Sequence, residues 1–205
     1  MPTPEGESDD HQPATAPAVA PLNIVLIGFM ATGKTTIGRQ LARRAGFKFV
    51  DCDLEIEKQQ RMKISEIFEK HGEAYFRELE KNYLLSLKGK QKLVISTGGG
   101  VVTHDATREV LPSLGYVVWL HAKKRAIHDR VMRNDNRPLI RTANPWKTIK
   151  TLFRARKPLY KSVANIKVKT HDLDISETVQ GILDSACYHF ASHRQDAPTI
   201  CTKPE

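Results

Sequence analysis

Apolar residues in this chain follow two patterns: short unbroken runs, and longer stretches where they recur every three or four positions. The first is the mark of a buried strand and the second of an amphipathic helix. Leu22–Ile27 reads as a buried strand. In Thr36–Ala45, Ile37, Leu41 and Ala42 fall on one helical face beside Arg39, Arg43 and Arg44. Phe47–Val50 predicts a second strand that ends at Asp51-Cys52-Asp53, and Leu54–Met62 predicts a helix. A further helical stretch begins near Ser65, with Ile64, Ile67 and Phe68 apolar, and breaks at Gly72. It resumes over Glu73–Leu87, with Phe76, Leu79, Tyr83, Leu84 and Leu87 on one face. Leu93–Thr97 is another buried strand and runs into Gly98-Gly99-Gly100. Asp105–Leu114 predicts a helix, Tyr116–Leu120 a strand, and Lys123–Arg133 a helix. The polar, proline-broken stretch from Asn134 to Pro145 predicts a mobile loop. Trp146–Arg156 reads as helix with a break at Pro158, and Ile166–Val168 as the last strand. A final helix repeats Ile175, Val179, Ile182, Leu183, Ala186 and Phe190 at helical spacing.

Five short strands alternating with helices imply an α/β fold in three layers: a central five-stranded parallel sheet flanked by helices, with the loop after Asn134 as a mobile lid. Ligands of such sheets bind beyond the carboxyl ends of the strands. Gly28–Thr35, Asp51–Asp53 and Gly98–Gly100 all fall at those ends, so they are expected to converge on one cleft.

Composition sets the outer limits. At 205 residues, 40% hydrophobic and 27% charged, the chain suits one globular domain. That domain is expected to span 22–191, with 1–21 a disordered, Pro- and Ala-rich extension and 192–205 a flexible tail. Glu5, Glu7, Asp9 and Asp10 oppose reading the first segment as a signal or transit peptide. No apolar run approaches the roughly 20 residues of a membrane helix, so no membrane partner is expected. Cys52, Cys187 and Cys201 are odd in number and not at metal-ligand spacing, which fits reduced thiols and a cytoplasmic location. His189 and His193 are four apart but lack an acidic helper, and no metal is assigned to them. The net charge of +9 includes a basic tract of Lys147, Lys150, Arg154, Arg156, Lys157, Lys161, Lys167 and Lys169. No aromatic stacking pattern or nucleic-acid-binding signature accompanies it, so no nucleic-acid partner is expected.

The most specific chemistry lies in Gly28-Phe-Met-Ala-Thr-Gly-Lys-Thr35. A strand, G-x-x-x-x-G-K-[ST] and a helix are what a phosphate-binding P-loop requires. The glycines bring backbone N–H groups to the phosphates and the helix N-terminus adds partial positive charge. Lys34 reaches the β- and γ-phosphates and the Thr35 hydroxyl can ligate Mg²⁺. The fold is therefore expected to be of the P-loop NTPase type. At the next strand end Asp51 would face that ion, through water, and Asp53 an acceptor hydroxyl whose proton it takes. Asp53 could equally cap the helix that follows. Gly98–Gly100 allows a ligand close to bare backbone, or simply forms a turn.

In combination these motifs resemble the shikimate kinases. The resemblance runs from about Asn23 to Phe190. It rests on Gly28–Thr35, Asp51-Cys52-Asp53, Phe76-Arg77 with Glu80, Gly98–Gly100, Arg137-Pro138-Leu139 and Arg156-Lys157-Pro158-Leu159-Tyr160, in that order. It implies ATP-dependent phosphorylation of the 3-hydroxyl of shikimate, on the chorismate route to aromatic amino acids, with one Mg²⁺ ion. Met30, Ala31, Thr32, Gly33, Lys34 and Thr35 would hold ATP. Arg130 would lie near the adenine, and Arg137 on the lid would reach the phosphates. Asp53 would bind and activate the acceptor, Arg77 and Arg156 would hold its carboxylate, and Gly98, Gly99 and Gly100 would line its pocket. Lys34, Asp53 and Arg137 would carry the catalysis, with Thr35 and Asp51 on the metal. A planar guanidinium suits a carboxylate as lysine does not. Arg77 could instead be a surface residue paired with Glu73 or Glu80, and Arg156 one more charge in the basic tract. The implied protein is a monomer that binds ATP and shikimate. Its rivals are a related small-molecule kinase, such as one for gluconate, and a catalytically silent P-loop domain.

Overall fold

The computed structural model describes residues 22–133, 144–171 and 174–192. Five parallel strands form one sheet in the order β2-β3-β1-β4-β5. They are β1 (Ile24–Ile27), β2 (Lys48–Asp51), β3 (Leu93–Ser96), β4 (Tyr116–His121) and β5 (Ile166–Lys169). The α/β architecture inferred from the sequence is the one found. β1 is the central strand: the chain leaves it toward β2, returns through β3, and then crosses to β4 and β5. Such a reversal opens a crevice at the carboxyl ends of the middle strands.

The strands are unbroken apolar runs because both faces are covered. On β1, Val25 and Ile27 point into one core cluster, with Leu84, Val101, Leu111, Ile127, Ile149 and Tyr160. Ile24 and Leu26 point into the other, with Ile37, Leu41, Ile182 and Phe190. The first cluster takes the faces of α3 (Ile64–Leu85), α4 (Asp105–Leu114), α5 (Lys124–Met132) and α6 (Pro145–Val163). The second takes those of α1 (Lys34–Ala45) and α7 (Ile175–Ser192). A separate small cluster of Ile56, Ile67 and Phe76 holds α2 (Cys52–Gln60) against α3.

Several boundaries differ from the pattern-based expectation. Helix α3 runs across Gly72, but that residue has φ 79° and ψ 174°, so the expected break persists as a kink. Helix α6 does not stop at Pro158 and continues to Val163. Proline in a helix interior forfeits one hydrogen bond and crowds the preceding turn. Here Pro158 is exposed, while Ile149, Phe153, Arg156 and Tyr160 are buried at helical spacing on both sides of it. That anchoring outweighs the local cost. Cys52 is fully buried as the first residue of α2. Tyr75 is 42% exposed and packs its ring against His71.

Candidate active site

The phosphate loop is shaped where β1 meets α1. Gly28 has φ 146°, and a Cβ there would collide with the Leu120 carbonyl oxygen, so no other residue fits. Gly33, at φ 93°, caps α1, and Ala31 also takes a positive φ, 57°. Thr32 Oγ1 ties the turn together by donating to the Phe29 carbonyl (2.8 Å). Lys34 Nζ donates to the carbonyls of Gly28 (2.8 Å) and Phe29 (3.1 Å), which folds the side chain back along its own loop. Helix α1 starts at Lys34 and has no acidic residue of its own in its first turn, which leaves its N-terminal positive end open to an anion.

At the end of β2, Asp51 does two things. Its Oδ2 accepts from the Thr35 hydroxyl (2.9 Å), and its Oδ1 accepts from the Leu54 N–H (3.5 Å). Asp51, not Asp53, therefore caps α2, which closes the capping alternative for Asp53. Asp53 stands one residue into the helix and faces the glycine triplet. Thr35 and Asp51 place hard oxygen donors side by side, the chemistry that suits Mg²⁺.

Each glycine of the triplet makes room for a particular group, and none has positive φ. A Cβ on Gly98 would lie 2.8 Å from both Asp53 Oδ1 and Glu80 Oε1. One on Gly99 would lie 3.1 Å from the Met30 nitrogen, and one on Gly100 would strike the Arg77 guanidinium. The triplet serves close approach, not a flexible turn. Its Gly99 carbonyl accepts from Arg156 Nη1 (3.1 Å) and from the Tyr160 hydroxyl (2.6 Å).

Arg77 and Arg156 are both buried, 6% and 7% exposed, so neither is a surface charge. Arg77 does pair with the two glutamates suggested for it. Nη1 donates to Glu80 Oε2 (2.7 Å), while Nε and Nη2 donate to Glu73 Oε1 (3.3 and 2.9 Å). Glu80 is 1% exposed and its Oε1 has no hydrogen-bond partner. Burial pushes its carboxyl up to about 7, opposed by Arg77 and reinforced by Asp53. Arg156 separates from the rest of the basic tract. Lys147, Lys150, Arg154 and Lys157 line an outer cleft of about 960 Å³ between α5 and α6, whereas Arg156 turns inward onto the Phe29 ring (5.7 Å).

Arg130 Nη1 donates to the Ala31 carbonyl (3.0 Å) and Nη2 to the Thr170 carbonyl (3.4 Å), bridging the phosphate loop to the segment after β5. A cleft of about 490 Å³ runs along this line, bounded by Ala31–Thr35, Asp51, Asp53, Gly99, Arg130 and Thr170. Arg137 and residues 134–143 of the expected lid lie outside the described residues, while Asn144 and Pro145, expected at its end, cap and begin α6. The structure brings all the other expected site residues together around one end of the sheet. One participant carried no assigned role in the sequence, Tyr160. It was within reach of helical spacing, four residues from Arg156.

Residues 30–187 match the sequence model of the shikimate kinases. The chain belongs to the shikimate kinase family. Family members named shikimate kinase include one from Thermodesulfovibrio yellowstonii, 43% identical over 161 residues, or 78% of this chain and 92% of that one. Another, from Aromatoleum aromaticum, is 46% identical over 145 residues, 71% of this chain and 83% of the relative. The solved shikimate kinase of Acinetobacter baumannii, in complex with shikimate, superposes with a TM-score of 0.78 at 37% identity. That match covers 87% of this chain and 97% of the other.

Proposed function

We propose that this protein transfers the γ-phosphoryl group of ATP to the 3-hydroxyl of shikimate, giving shikimate 3-phosphate and ADP. Membership of the shikimate kinase family carries the reaction class. The observation that best supports the acceptor is the pair of buried guanidiniums, Arg77 and Arg156, beside Asp53 and the glycine triplet at the mouth of a phosphate loop. A ring acid needs a cationic clamp at one end and a proton acceptor at the other, and this site supplies both.

In this reading Met30–Thr35 cradle the triphosphate and Arg130 flanks the base. Thr35 and, through water, Asp51 would hold Mg²⁺, which would supply positive charge to the phosphate oxygens. Arg77 and Arg156 fix the acid's carboxylate with Gly98–Gly100 as the pocket floor, which aims the 3-hydroxyl at the γ-phosphorus. The oxygen–phosphorus bond forms as the bridge to the β-phosphate breaks, and the hydroxyl proton passes to Asp53. Lys34 and Arg137 stabilise the charge that spreads over the transferred group. Closure of 134–143 over the site would exclude water and suppress wasteful hydrolysis of ATP.

One globular unit over 22–191, acting as a cytoplasmic monomer, completes the proposal. It is supported by Cys52, a buried thiol outside any disulfide. No helix among the described residues is long and apolar enough to cross a membrane.

The test is product identity. After incubation with Mg²⁺-ATP and shikimate, phosphorus–proton correlation should couple the new phosphate to the proton on C3. Coupling to another ring position, or no phosphorylated acid at all, would overturn the assignment.

A further inference from the structure

Two donors on α6 share one acceptor in the floor of the acid pocket. The Gly99 carbonyl accepts from Arg156 Nη1 at 3.1 Å and from the Tyr160 hydroxyl at 2.6 Å, and the two side chains stand one helical turn apart. The shorter bond belongs to the residue that cannot itself neutralise a carboxylate. We propose that Tyr160 is a positioning residue: it keeps the Gly99 carbonyl paired so that Arg156 can turn from that carbonyl to the substrate's carboxylate.

The proposal rests on the reading of Arg156 as a carboxylate ligand. A buried carbonyl left without a donor costs on the order of 1–3 kcal/mol. Were Arg156 its only donor, every binding event that drew the guanidinium away would incur that loss. With Tyr160 in place the carbonyl stays satisfied, and the guanidinium is free to change partners. The hydroxyl is well fixed for this task. Tyr160 is 1% exposed, and its ring stacks on Trp119 with centroids 5.8 Å apart and planes at 21°. Trp119 in turn carries Lys167 Nζ 5.0 Å above its ring, and this anchors the stack to β5. Burial raises the phenol's pKa far above its ordinary value, so the hydroxyl remains a donor across the physiological range. Fixing the carbonyl also fixes the peptide plane between Gly99 and Gly100.

Removing only the hydroxyl tests this, because Tyr160→Phe keeps the ring stack and the core volume. The KM for shikimate should rise about tenfold, the equivalent of the carbonyl's lost partner, while the KM for ATP stays within twofold and the melting temperature within a few degrees. The effect should depend on Arg156. In an Arg156→Ala background, where no guanidinium needs releasing, adding Tyr160→Phe should change the shikimate KM less than about twofold. An equal tenfold rise in both backgrounds would show that Tyr160 acts on its own, and a parallel rise in both KM values with a fall in melting temperature would show a packing role; either overturns the proposal. An unchanged shikimate KM in Arg156→Ala alone would instead overturn the carboxylate-ligand reading.

Discussion

Burial and charge act in opposite directions on the Glu80 carboxylate. It is 1% exposed, it pairs with Arg77, and desolvation raises its pKa from 4.5 to about 7. A carboxyl whose folded pKa lies above its unfolded value binds more protons when folded. Its stabilising contribution is therefore full below pH 4.5 and is lost as pH rises toward 7. Across that window the stability of the wild type, measured against Glu80→Gln to cancel other groups, should fall by up to about 3 kcal/mol. Denaturant melts at a series of pH values would check it, and a flat difference would refute it. Asp53 offers a second test. Asp53→Asn should lower turnover by at least about a hundredfold, in line with the loss of a general base, while nucleotide binding measured by calorimetry survives. Turnover within a few-fold of wild type would remove Asp53 from the base role. At this scale the sequence was partly legible. The P-loop residues follow from spacing alone, because backbone geometry dictates their types. Arg77 and Arg156 did not: a helix pattern leaves an arginine's burial open, and only the resemblance singled them out. The assignment of the helix cap between Asp51 and Asp53 also needed three dimensions, since either carboxylate reaches the first turn.

Among the elements, the glycine triplet after β3 is the one whose meaning changed most. In sequence it reads equally as a turn or as room for a ligand; in the structure it is room for the site's own groups. A Cβ on Gly100 would lie 2.8 Å from Arg77 Cζ. That atom belongs to the far end of a flexible side chain, so the guanidinium would move and the fold would stay. Gly100→Ala should thus raise the KM for shikimate about tenfold or more, consistent with a displaced charged hydrogen-bonding group, and leave the KM for ATP and the melting temperature nearly unchanged. Steady-state kinetics on both substrates would check this, and loss of ATP affinity to the same degree would count against it. Strand identities were legible because both sheet faces are covered and the runs stand out. Helix ends were less so. Pro158 looks like a stop in the sequence, but Phe153, Arg156 and Tyr160 are anchored on either side of it, and packing prevails over local propensity.

For the molecule as a whole, the strand order does most to create function. With β1 at the centre and crossovers leaving on opposite sides, the phosphate loop, Asp53 and the glycine triplet meet at one end of the sheet although they are far apart in the chain. The same arrangement divides the positive charge. Arg77, Arg156 and Lys34 turn inward, while Lys147, Lys150, Arg154 and Lys157 stay on an outer surface. Net charge alone would not have separated the two sets. The central claim is that this assembly phosphorylates shikimate, and its most direct test is ADP release with Mg²⁺-ATP in the presence of shikimate, gluconate or no acceptor. Release stimulated strongly by shikimate and by neither alternative is the predicted result. Nucleotide binding without stimulation by shikimate would contradict it, and the two buried arginines would then need another partner.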